Sequence, residues 1–210
     1  MITGINEIIE AYIQQYSDNY PPIVPRLPIK PSTEEDMYYR MTALYQIETE
    51  RRGCLFVDDE HTRAMIQKVV HWLVHGEKRG LLLIGTLGNG KSTMLRCIHR
   101  VMECSGSLGD AQQIFEHFKR NSGEMRYWDE KLLLIDDLGI EPEKCLLYGE
   151  EHHPLTRLLL HRYDRNLTTV IATNLDMAEI QSRYGDRVTD RLCEMYDSIV
   201  YMYPSYRLNQ

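Results

Sequence analysis

The sequence lacks the features that would place it in a membrane, in an oxidising compartment or on nucleic acid through bulk charge. No apolar run approaches the roughly 20 residues of a spanning helix, and no basic segment with an apolar stretch opens the chain, so we expect no membrane span and no secretory signal. The five cysteines are odd in number and include no C-x-x-C pair, which argues against disulfides or a cysteine zinc site. The chain has no excess of positive charge, since 24 Lys and Arg residues face 31 Asp and Glu residues and the formal net charge is −7. We therefore expect a cytoplasmic protein that does not coat nucleic acid, although local basic patches remain open.

The composition is that of a soluble globular protein, and proline is concentrated in one short segment. The chain has 210 residues, of which 43% are hydrophobic and 26% charged, enough for one domain with a small appendage. Five of the eight prolines lie in Pro21–Pro31, where neither a helix nor an inner strand is expected. An amphipathic helix is predicted before this strap, over residues 5–16, and another after it, from Ser32 to about Arg52. We divide the chain into an N-terminal region, residues 1–53, and a domain, residues 54–210.

The larger domain has the pattern of an α/β fold. A short strand is predicted over Cys54–Val57, followed by a helix that Asp58 or Asp59 caps and that ends at Gly76. From Leu81 onward strands and helices alternate, which predicts parallel βαβ units with helices on both faces of the sheet. The strands are expected at residues 81–84, 132–135, 169–173 and 198–202, and the helices at 91–102, 111–120, 155–163, 176–185 and 186–195.

Two histidine pairs have a spacing or setting that a metal ion could use. His71 and His75 lie four residues apart on the predicted helix before Gly76, but without a third ligand nearby we interpret them as surface or boundary residues. The run Glu150–Pro154, EEHHP, combines two acids with two histidines before a helix. A polar helix entry is the simpler interpretation of that run.

The residues Gly85–Ser92, GTLGNGKS, fit the phosphate-loop pattern G-x-x-x-x-G-K-[ST] between a predicted strand and a predicted helix. Glycines let the backbone fold around an anion with its N–H groups inward, and the next helix begins there with its positive dipole end. We expect the Lys91 ammonium to reach the β- and γ-phosphates of a nucleoside triphosphate and the Ser92 hydroxyl to bind Mg²⁺. The expected nucleotide-binding residues are Gly85, Thr86, Leu87, Gly88, Asn89, Gly90, Lys91, Ser92 and Thr93.

Two further strand ends carry polar side chains. In LLLIDDLG, residues 132–139, apolar residues are followed by two aspartates, and the carboxyl end of a buried strand is where α/β sheets hold ligands. We expect Asp136 to hold Mg²⁺ through water and Asp137 to polarise the attacking water. Asn174 follows the apolar run Val170–Ala172. Its amide can orient water against the γ-phosphate, although an asparagine there also commonly caps a helix.

These motifs in this order, together with YGDRVTDRL and a terminal SYR, resemble the AAA+ ATPases of the bacterial helicase-loader type. The DnaC and DnaI loaders and the transposition helper IstB belong to that type, and the resemblance covers about residues 54–207. It implies a P-loop sheet of the ASCE class, in which the strand before Asn174 lies between the two phosphate-binding strands. It also implies homo-oligomeric rings or spirals with ATP bound between subunits.

The resemblance assigns roles to four further positions. Asn174 corresponds to sensor 1, Arg191 in TDRL to the arginine finger, and Arg207 in SYR to a sensor-2-like arginine that contacts the nucleotide. Arg187 is a second, weaker candidate for a contact to a neighbouring subunit. The catalytic set that the resemblance and the motifs together predict is Lys91, Asp137, Asn174 and Arg191.

Three departures from the family pattern change what we expect. Asp137 stands where many AAA+ proteins have glutamate, so hydrolysis is expected to be slow. The sequence ends three residues after Arg207, and we expect no C-terminal helical lid domain. Residues 104–113, CSGSLGDAQQ, lack the apolar run of the strand that the family has there. That strand is degraded or the region is rebuilt, which puts contact with single- or double-stranded DNA in doubt.

The sequence therefore predicts an ATP- and Mg²⁺-binding AAA+ protein that loads or remodels a partner on DNA, with a replicative helicase or a transposase as its client. The N-terminal helix either contacts that client or packs on its own domain. Two alternatives stay open: a small-molecule P-loop kinase, which would need basic lid residues where Glu141–Glu151 is acidic, and a nucleotide switch that does not hydrolyse ATP.

Overall fold

The computed structural model describes residues 2–18, 33–76, 78–102, 106–124 and 127–202. None of the described helices has the length and apolar composition needed to cross a bilayer. The predicted proline strap, Pro21–Pro31, lies outside the described residues. The helices are α1 (Ile2–Asp18), α2 (Glu34–Glu50), α3 (Glu60–His75), α4 (Lys91–Val101), α5 (Ala111–Arg120), α6 (Pro154–Asp164), α7 (Met177–Tyr184) and α8 (Asp186–Met195). The strands are β1 (Gly80–Gly85), β2 (Ser107–Asp110), β3 (Leu132–Leu138), β4 (Cys145–Leu147), β5 (Glu150–His152), β6 (Thr168–Thr173) and β7 (Tyr196–Tyr201).

Five parallel strands form the central sheet in the order β2-β3-β6-β1-β7. Val170 of β6 is in register with Leu81 of β1 on one side and with Leu134 of β3 on the other. The strand that precedes Asn174 therefore lies between the strand that leads into the phosphate loop and the strand that ends in the two aspartates. This confirms the α/β fold and the strand order that the resemblance implied.

Each face of the sheet has its own hydrophobic core, because successive side chains of a strand point to opposite faces. Leu81 and Leu83 of β1 are buried in a core that α2, α3 and α4 cover. Leu82 and Ile84 of the same strand are buried in a second core, covered by α5, α6, α7 and α8. The strands are apolar on both faces for this reason, as is usual for parallel sheets.

The structure corrects three details of the sequence interpretation. The strand that seemed missing from residues 104–113 is present as β2, a short edge strand paired in parallel with β3. Its apolar signal is weak because it pairs with β3 alone among the described strands and because Gly109 leaves room for Ile114, whose Cγ1 lies 3.1 Å from the position of an added Cβ. Residues 54–57 form no strand. The segment between β3 and α6 forms an antiparallel hairpin, β4–β5, that we did not predict.

The helix starts are set by single side chains. Thr33, rather than Ser32, is the N-cap of α2, and its hydroxyl oxygen accepts a hydrogen bond from the Asp36 N–H at 3.1 Å. Asp59 caps α3 in the same way, accepting from the Thr62 N–H at 2.7 Å. Such caps satisfy backbone donors that the first helical turn leaves without partners. They fix Glu34 as the first residue of α2.

Helix α1 packs against the domain on one face. Ile9, Tyr12 and Ile13 contact the core that α2 shares with β1, and the Tyr12 hydroxyl donates to the Asp36 carboxylate. The Arg40 guanidinium lies 5.2 Å from the centre of the Tyr12 ring. This face of α1 is therefore occupied by the protein's own core. The division of the chain at residues 53 and 54 stays a prediction.

Arg162, on α6, is the largest side chain that is fully buried in the described structure. Burial lowers the pKa of Arg162 to about 10, because the charged guanidinium is removed from water. It donates hydrogen bonds to Thr169 Oγ1 (2.8 Å) and to the carbonyl oxygens of Tyr127 (3.0 Å), Trp128 (3.4 Å), Glu130 (2.8 Å) and Thr168 (2.7 Å). One side chain thus joins α6 to the loop before β3 and to the start of β6.

We expect Arg162→Met to lower the free energy of unfolding by about 3 kcal/mol or more, because several buried carbonyl groups lose their donor at once. Urea unfolding followed by circular dichroism would measure this. Arg165→Met is the matched control, since Arg165 is exposed at the end of the same helix and its loss should change stability by no more than about 0.5 kcal/mol. Equal effects of the two substitutions would contradict the structural role of Arg162.

Candidate nucleotide-binding site

The carboxyl ends of β1, β3 and β6 open into a cleft of about 970 Å³. Such a crevice beyond the strand ends is where open α/β sheets hold ligands. The cleft brings together most of the residues that the sequence singled out: Leu87, Gly88, Asn89, Gly90, Lys91, Ser92, Thr93, Asp136, Asp137 and Asn174. Gly85 and Thr86 complete the loop at the end of β1.

The loop is surrounded by close contacts that leave no room for a Cβ at two of its glycines. Gly90 has φ +92°, and a Cβ added there would lie 2.1 Å from the Tyr45 hydroxyl oxygen. A Cβ on Gly85 would lie 2.7 Å from the Tyr201 carbonyl oxygen. The buried Asn89 side chain donates to that same carbonyl at 3.2 Å. The loop is therefore clamped between α2 on one side and β7 on the other.

Lys91 is buried and points its ammonium at the loop. Nζ donates to the carbonyl oxygens of Gly85 (2.6 Å) and Thr86 (2.7 Å) and to Asn89 Oδ1 (3.1 Å). Burial lowers the pKa of Lys91 to about 8, an effect that the negative charges of Asp137 and Asp136 partly oppose. The ammonium is thus held at the mouth of the loop with a proton that is easier to lose than usual.

Ser92 and Asp136 form a pair of oxygen ligands at the next position. Ser92 Oγ donates to Asp136 Oδ1 at 2.9 Å, and the Asp137 N–H donates to the same oxygen at 3.1 Å. Burial nevertheless raises the pKa of Asp136 above its usual value, with the Asp137 charge adding to the effect. A divalent cation would relieve that penalty. Hydroxyl and carboxylate oxygens are the donors that Mg²⁺ prefers, so these two residues fit the ion.

Asp137 and Asn174 lie beside this pair because β3 and β6 are linked at their ends. The pairing of the two strands shifts between Ile135 and Leu138, and Asp137 adopts φ +50° within this irregularity. Thr173 Oγ1 donates to the Leu138 carbonyl at 2.7 Å. The side chains of Asp137 and Asn174 therefore line the cleft from neighbouring strand ends.

Several cleft residues were missed by the sequence analysis. Arg52 donates from Nη1 to Thr93 Oγ1 at 3.2 Å, and Arg96 Nη2 lies 4.0 Å from Asp136 Oδ2. Asp110 lines the cleft because β2 places it in register with Asp136. Arg96 had a readable signal, since it follows Ser92 by four residues on one helix. Arg52 had none, because its position depends on how α2 packs.

The two predicted arginines that the structure describes, Arg191 and Arg187, do not line this cleft. Arg191 Nη1 donates to the Tyr163 hydroxyl and to Glu194 Oε2, both at 3.1 Å, and the guanidinium carbon lies 4.5 Å from the centre of the Tyr163 ring. Arg187 is exposed one turn earlier on α8. Arg207 lies outside the described residues. The structure therefore assembles the phosphate-loop, Asp136, Asp137 and Asn174 positions and places Arg191 elsewhere on the surface.

No protein-family profile and no curated protein matches the sequence, but solved structures match the fold. DnaI is 18% identical with a TM-score of 0.52, over 70% of this chain and 87% of that one. Domain III of the replication initiation protein DnaA from Thermotoga maritima is 15% identical with a TM-score of 0.51, over 77% and 68%. A DnaA bound to AMPPCP and single-stranded DNA is 16% identical with a TM-score of 0.50, over 71% and 49%.

These likenesses define the class of the fold. The chain has the P-loop fold of AAA+ ATPase domains, with a helical segment before it. Within that class, it is similar to DnaI and to the replication initiation protein DnaA, which agrees with the resemblance that the motifs indicated. At these identities the likeness establishes the fold, and the roles of individual residues stay predictions.

Lys91 makes the affinity for ATP dependent on pH. The ammonium attracts phosphate only when protonated, and its pKa is about 8 in the free protein. Bound phosphate raises that pKa, so ATP binding takes up a proton as the pH passes 8. We expect the affinity to fall above pH 8 by up to about tenfold per pH unit, measured by titration with a fluorescent ATP analogue between pH 7 and 9.5. A slope as steep in Lys91→Arg, whose guanidinium stays charged over this range, would contradict this origin.

The two aspartates should separate in function. We expect Asp136→Asn to weaken Mg²⁺-dependent ATP binding most, because it removes a charged oxygen from the Ser92 pair. Asp137→Asn should spare binding and lose turnover. Equilibrium binding with and without Mg²⁺, compared with single-turnover hydrolysis, measures the two effects. Equal loss of binding in both variants would remove the distinction between metal ligand and water-orienting base.

Proposed function

We propose that this protein binds ATP with Mg²⁺, hydrolyses it slowly and uses the nucleotide cycle to load or remodel a partner protein on DNA. The observation that carries the proposal is the cleft itself. It gathers a buried ammonium, a serine–aspartate oxygen pair, a second aspartate and an asparagine at three neighbouring strand ends. That combination suits a phosphate chain, a divalent cation and an attacking water.

Each side chain has a distinct task in this proposal. Lys91 exchanges its carbonyl acceptors for the β- and γ-phosphate oxygens, while the N–H groups of the loop and of the start of α4 contact the remaining oxygens. Ser92 and Asp136 hold the ion. When bound, Mg²⁺ neutralises charge that develops on the transferred phosphoryl group. Asp137 accepts a hydrogen bond from the attacking water, and the Asn174 amide orients that water without adding charge.

Slow turnover follows from the identity of residue 137. An aspartate has a shorter arm than the glutamate that many AAA+ proteins carry at this position. The positive φ of Asp137 fixes the direction in which that arm leaves the backbone. Water placed by a shorter carboxylate is further from the ideal line of attack, and positioning is a large part of phosphoryl-transfer catalysis.

The position of Arg191 supports an oligomer with ATP sites between subunits. Its side chain is 35% exposed on α8 and lies outside the cleft of its own subunit. From there it is available to the cleft of a neighbouring subunit. An arginine supplied by a neighbour stabilises the charge on the transferred phosphoryl group. In this proposal the protein is a homo-oligomer, and Arg207 contacts the nucleotide as a sensor.

The client is inferred from chemistry and fold together. The fold is similar to that of DnaI and of the replication initiator DnaA, and one DnaA structure holds single-stranded DNA. We propose a replicative helicase or a transposase as the client, in the cytoplasm. Direct contact with DNA is a separate question, which binding to labelled single- and double-stranded oligonucleotides answers.

The kinase alternative is less well supported. A small-molecule kinase of this fold needs basic residues that close over the acceptor after the Asp136 strand. The hairpin β4–β5 occupies that part of the chain, and it presents the exposed side chains of Leu146 and Tyr148. Its neighbouring lysine, Lys144, is paired with Glu151 at 2.7 Å.

Mixing two inactive variants tests the oligomer and the finger together. Arg191→Ala should bind ATP but hydrolyse it poorly, because an arginine finger is worth about 10³ or more in rate. Lys91→Ala should be inactive because its own site does not bind ATP. In a mixture the second subunit supplies Arg191 to the intact loop of the first, so we expect part of the ATPase activity to return.

In the matched control, Arg165→Ala takes the place of Arg191→Ala in the mixture with Lys91→Ala. Arg165 is exposed outside α8, so its loss should leave activity unchanged. Activity should also rise more than linearly with protein concentration. If the Arg191→Ala mixture stays inactive although the variants co-assemble, Arg191 is not a finger acting on a neighbour. ATP binding with no turnover in the wild type, with or without DNA, would favour the non-hydrolysing switch.

A further inference from the structure

A cluster of three potential metal ligands lies between the start of α2 and the end of α3. The nucleotide cleft is lined by the opposite ends of these two helices. Glu34 Oε1 lies 3.5 Å from His71 Nδ1, and Glu34 Oε2 lies 3.1 Å from His75 Nε2. The two imidazole rings have their centres 5.1 Å apart. One ligand atom from each residue falls within 4.8 Å of the others.

The fold builds this cluster from parts that are distant in sequence. His71 and His75 are four residues apart on α3 and therefore project from one face of the helix. Thr33 caps α2 and thereby fixes Glu34 at the first helical position, and the packing of α2 on α3 brings that position to the end of α3. The third ligand, which the sequence did not reveal, comes from the preceding helix.

We propose that Glu34, His71 and His75 form a binding site for a transition-metal dication, with Zn²⁺ as the best fit. Two imidazole nitrogens with one carboxylate are a common donor set for zinc, at about 2.0–2.2 Å from the ion. Tetrahedral ligands at that distance lie about 3.4 Å from one another. The two nitrogen–oxygen separations in the cluster, one to each oxygen of Glu34, are 3.5 and 3.1 Å and so lie near this spacing. Mg²⁺ and Ca²⁺ prefer oxygen ligands alone and are poor candidates.

The surroundings allow an ion to enter. The side chains of the three ligands are between 48% and 69% exposed, so the ion can bind from solvent and keep water in its remaining positions. Glu35 and Lys68 line the same groove, and the Glu35 carboxylate accepts from the Tyr39 hydroxyl at 2.8 Å. The positive charge of Lys68 opposes the ion, which limits the affinity, while the negative charge of Glu35 favours it.

The same three side chains can also contact one another without a metal ion. Protonated histidines at the end of α3 and a carboxylate at the start of α2 suit the dipoles of the two helices and form ion pairs without any metal. The two accounts differ in what a dication does. If the cluster is only a set of ion pairs, zinc has no site there. If the cluster binds zinc, the ion ties the start of α2 to the end of α3.

Calorimetric titration of the full chain, purified without a histidine tag, with ZnCl₂ at pH 7.5 tests the proposal. We expect one site per chain. His71→Gln, His75→Gln and Glu34→Gln should each lower the affinity by more than about tenfold, the loss typical of residues that only support metal ligands. Glu35→Gln is the matched control, since it removes the neighbouring carboxylate of the same helical turn. It should leave at least most of the affinity.

A second control addresses the other histidines and the cysteines. His153→Gln removes the histidine that contacts Glu151 at 3.2 Å on the hairpin and should leave binding unchanged. Co²⁺ in place of Zn²⁺ should give visible bands without an intense thiolate charge-transfer band, because Cys193 and Cys54 are not among the ligands.

Three results would overturn the proposal: no zinc binding by the wild type, unchanged binding in the Glu34→Gln and His75→Gln variants, or loss of binding in His153→Gln. The thermal unfolding midpoint gives an independent reading, because a ligand of the folded state raises it. We expect zinc to raise the midpoint of the wild type and of Glu35→Gln, but not that of His71→Gln, and chelation should reverse the rise. The ATP site lies apart from these residues, so ATP affinity serves as the check that each variant is folded.

Discussion

The buried ammonium of Lys91 is the constraint on which the nucleotide cleft depends. A charge removed from water is costly unless polar groups surround it. Two carbonyl groups of the loop and the Asn89 side chain provide those partners, and this obliges the loop to curl around the amine. Asn89 is in turn held by the Tyr201 carbonyl. The hydrogen bonds of Lys91 therefore stabilise the curled shape of the loop before any phosphate binds. Phosphate oxygens then need only replace the carbonyl groups as acceptors.

The sheet order explains why three separate sequence motifs become one site. β6 lies between β1 and β3, so the ends of these strands are adjacent although they are far apart in the chain. α2 belongs to the same arrangement, because its Tyr45 closes the space beside Gly90 while other residues of the helix share a core with β1. A change in the packing of α2 would therefore alter the space available to the phosphate loop.

Much of the fold could be predicted from periodicity and motifs, and the failures have physical causes. The inner strands were readable because both of their faces are buried, and Ala111–Arg120 was readable because its apolar residues repeat at helical spacing. The hairpin β4–β5 was not, since its strands are short and largely exposed. In the site, the loop and the aspartates follow from local sequence. Arg52 and the nearness of Glu34 to His75 depend on helix packing, which no local pattern records.

The edge strand β2 has a consequence for how the protein behaves at high concentration. An edge strand offers unpaired backbone groups that can add a strand from another molecule, and long apolar edges promote aggregation. β2 has only four residues, Ser107–Asp110, with polar side chains at both ends and only Leu108 and Gly109 between them. The composition that hid this strand from the sequence pattern also makes it a poor template for stacking. The protein is proposed to form an ordered oligomer, and the short β2 edge disfavours aggregation through this side of the sheet.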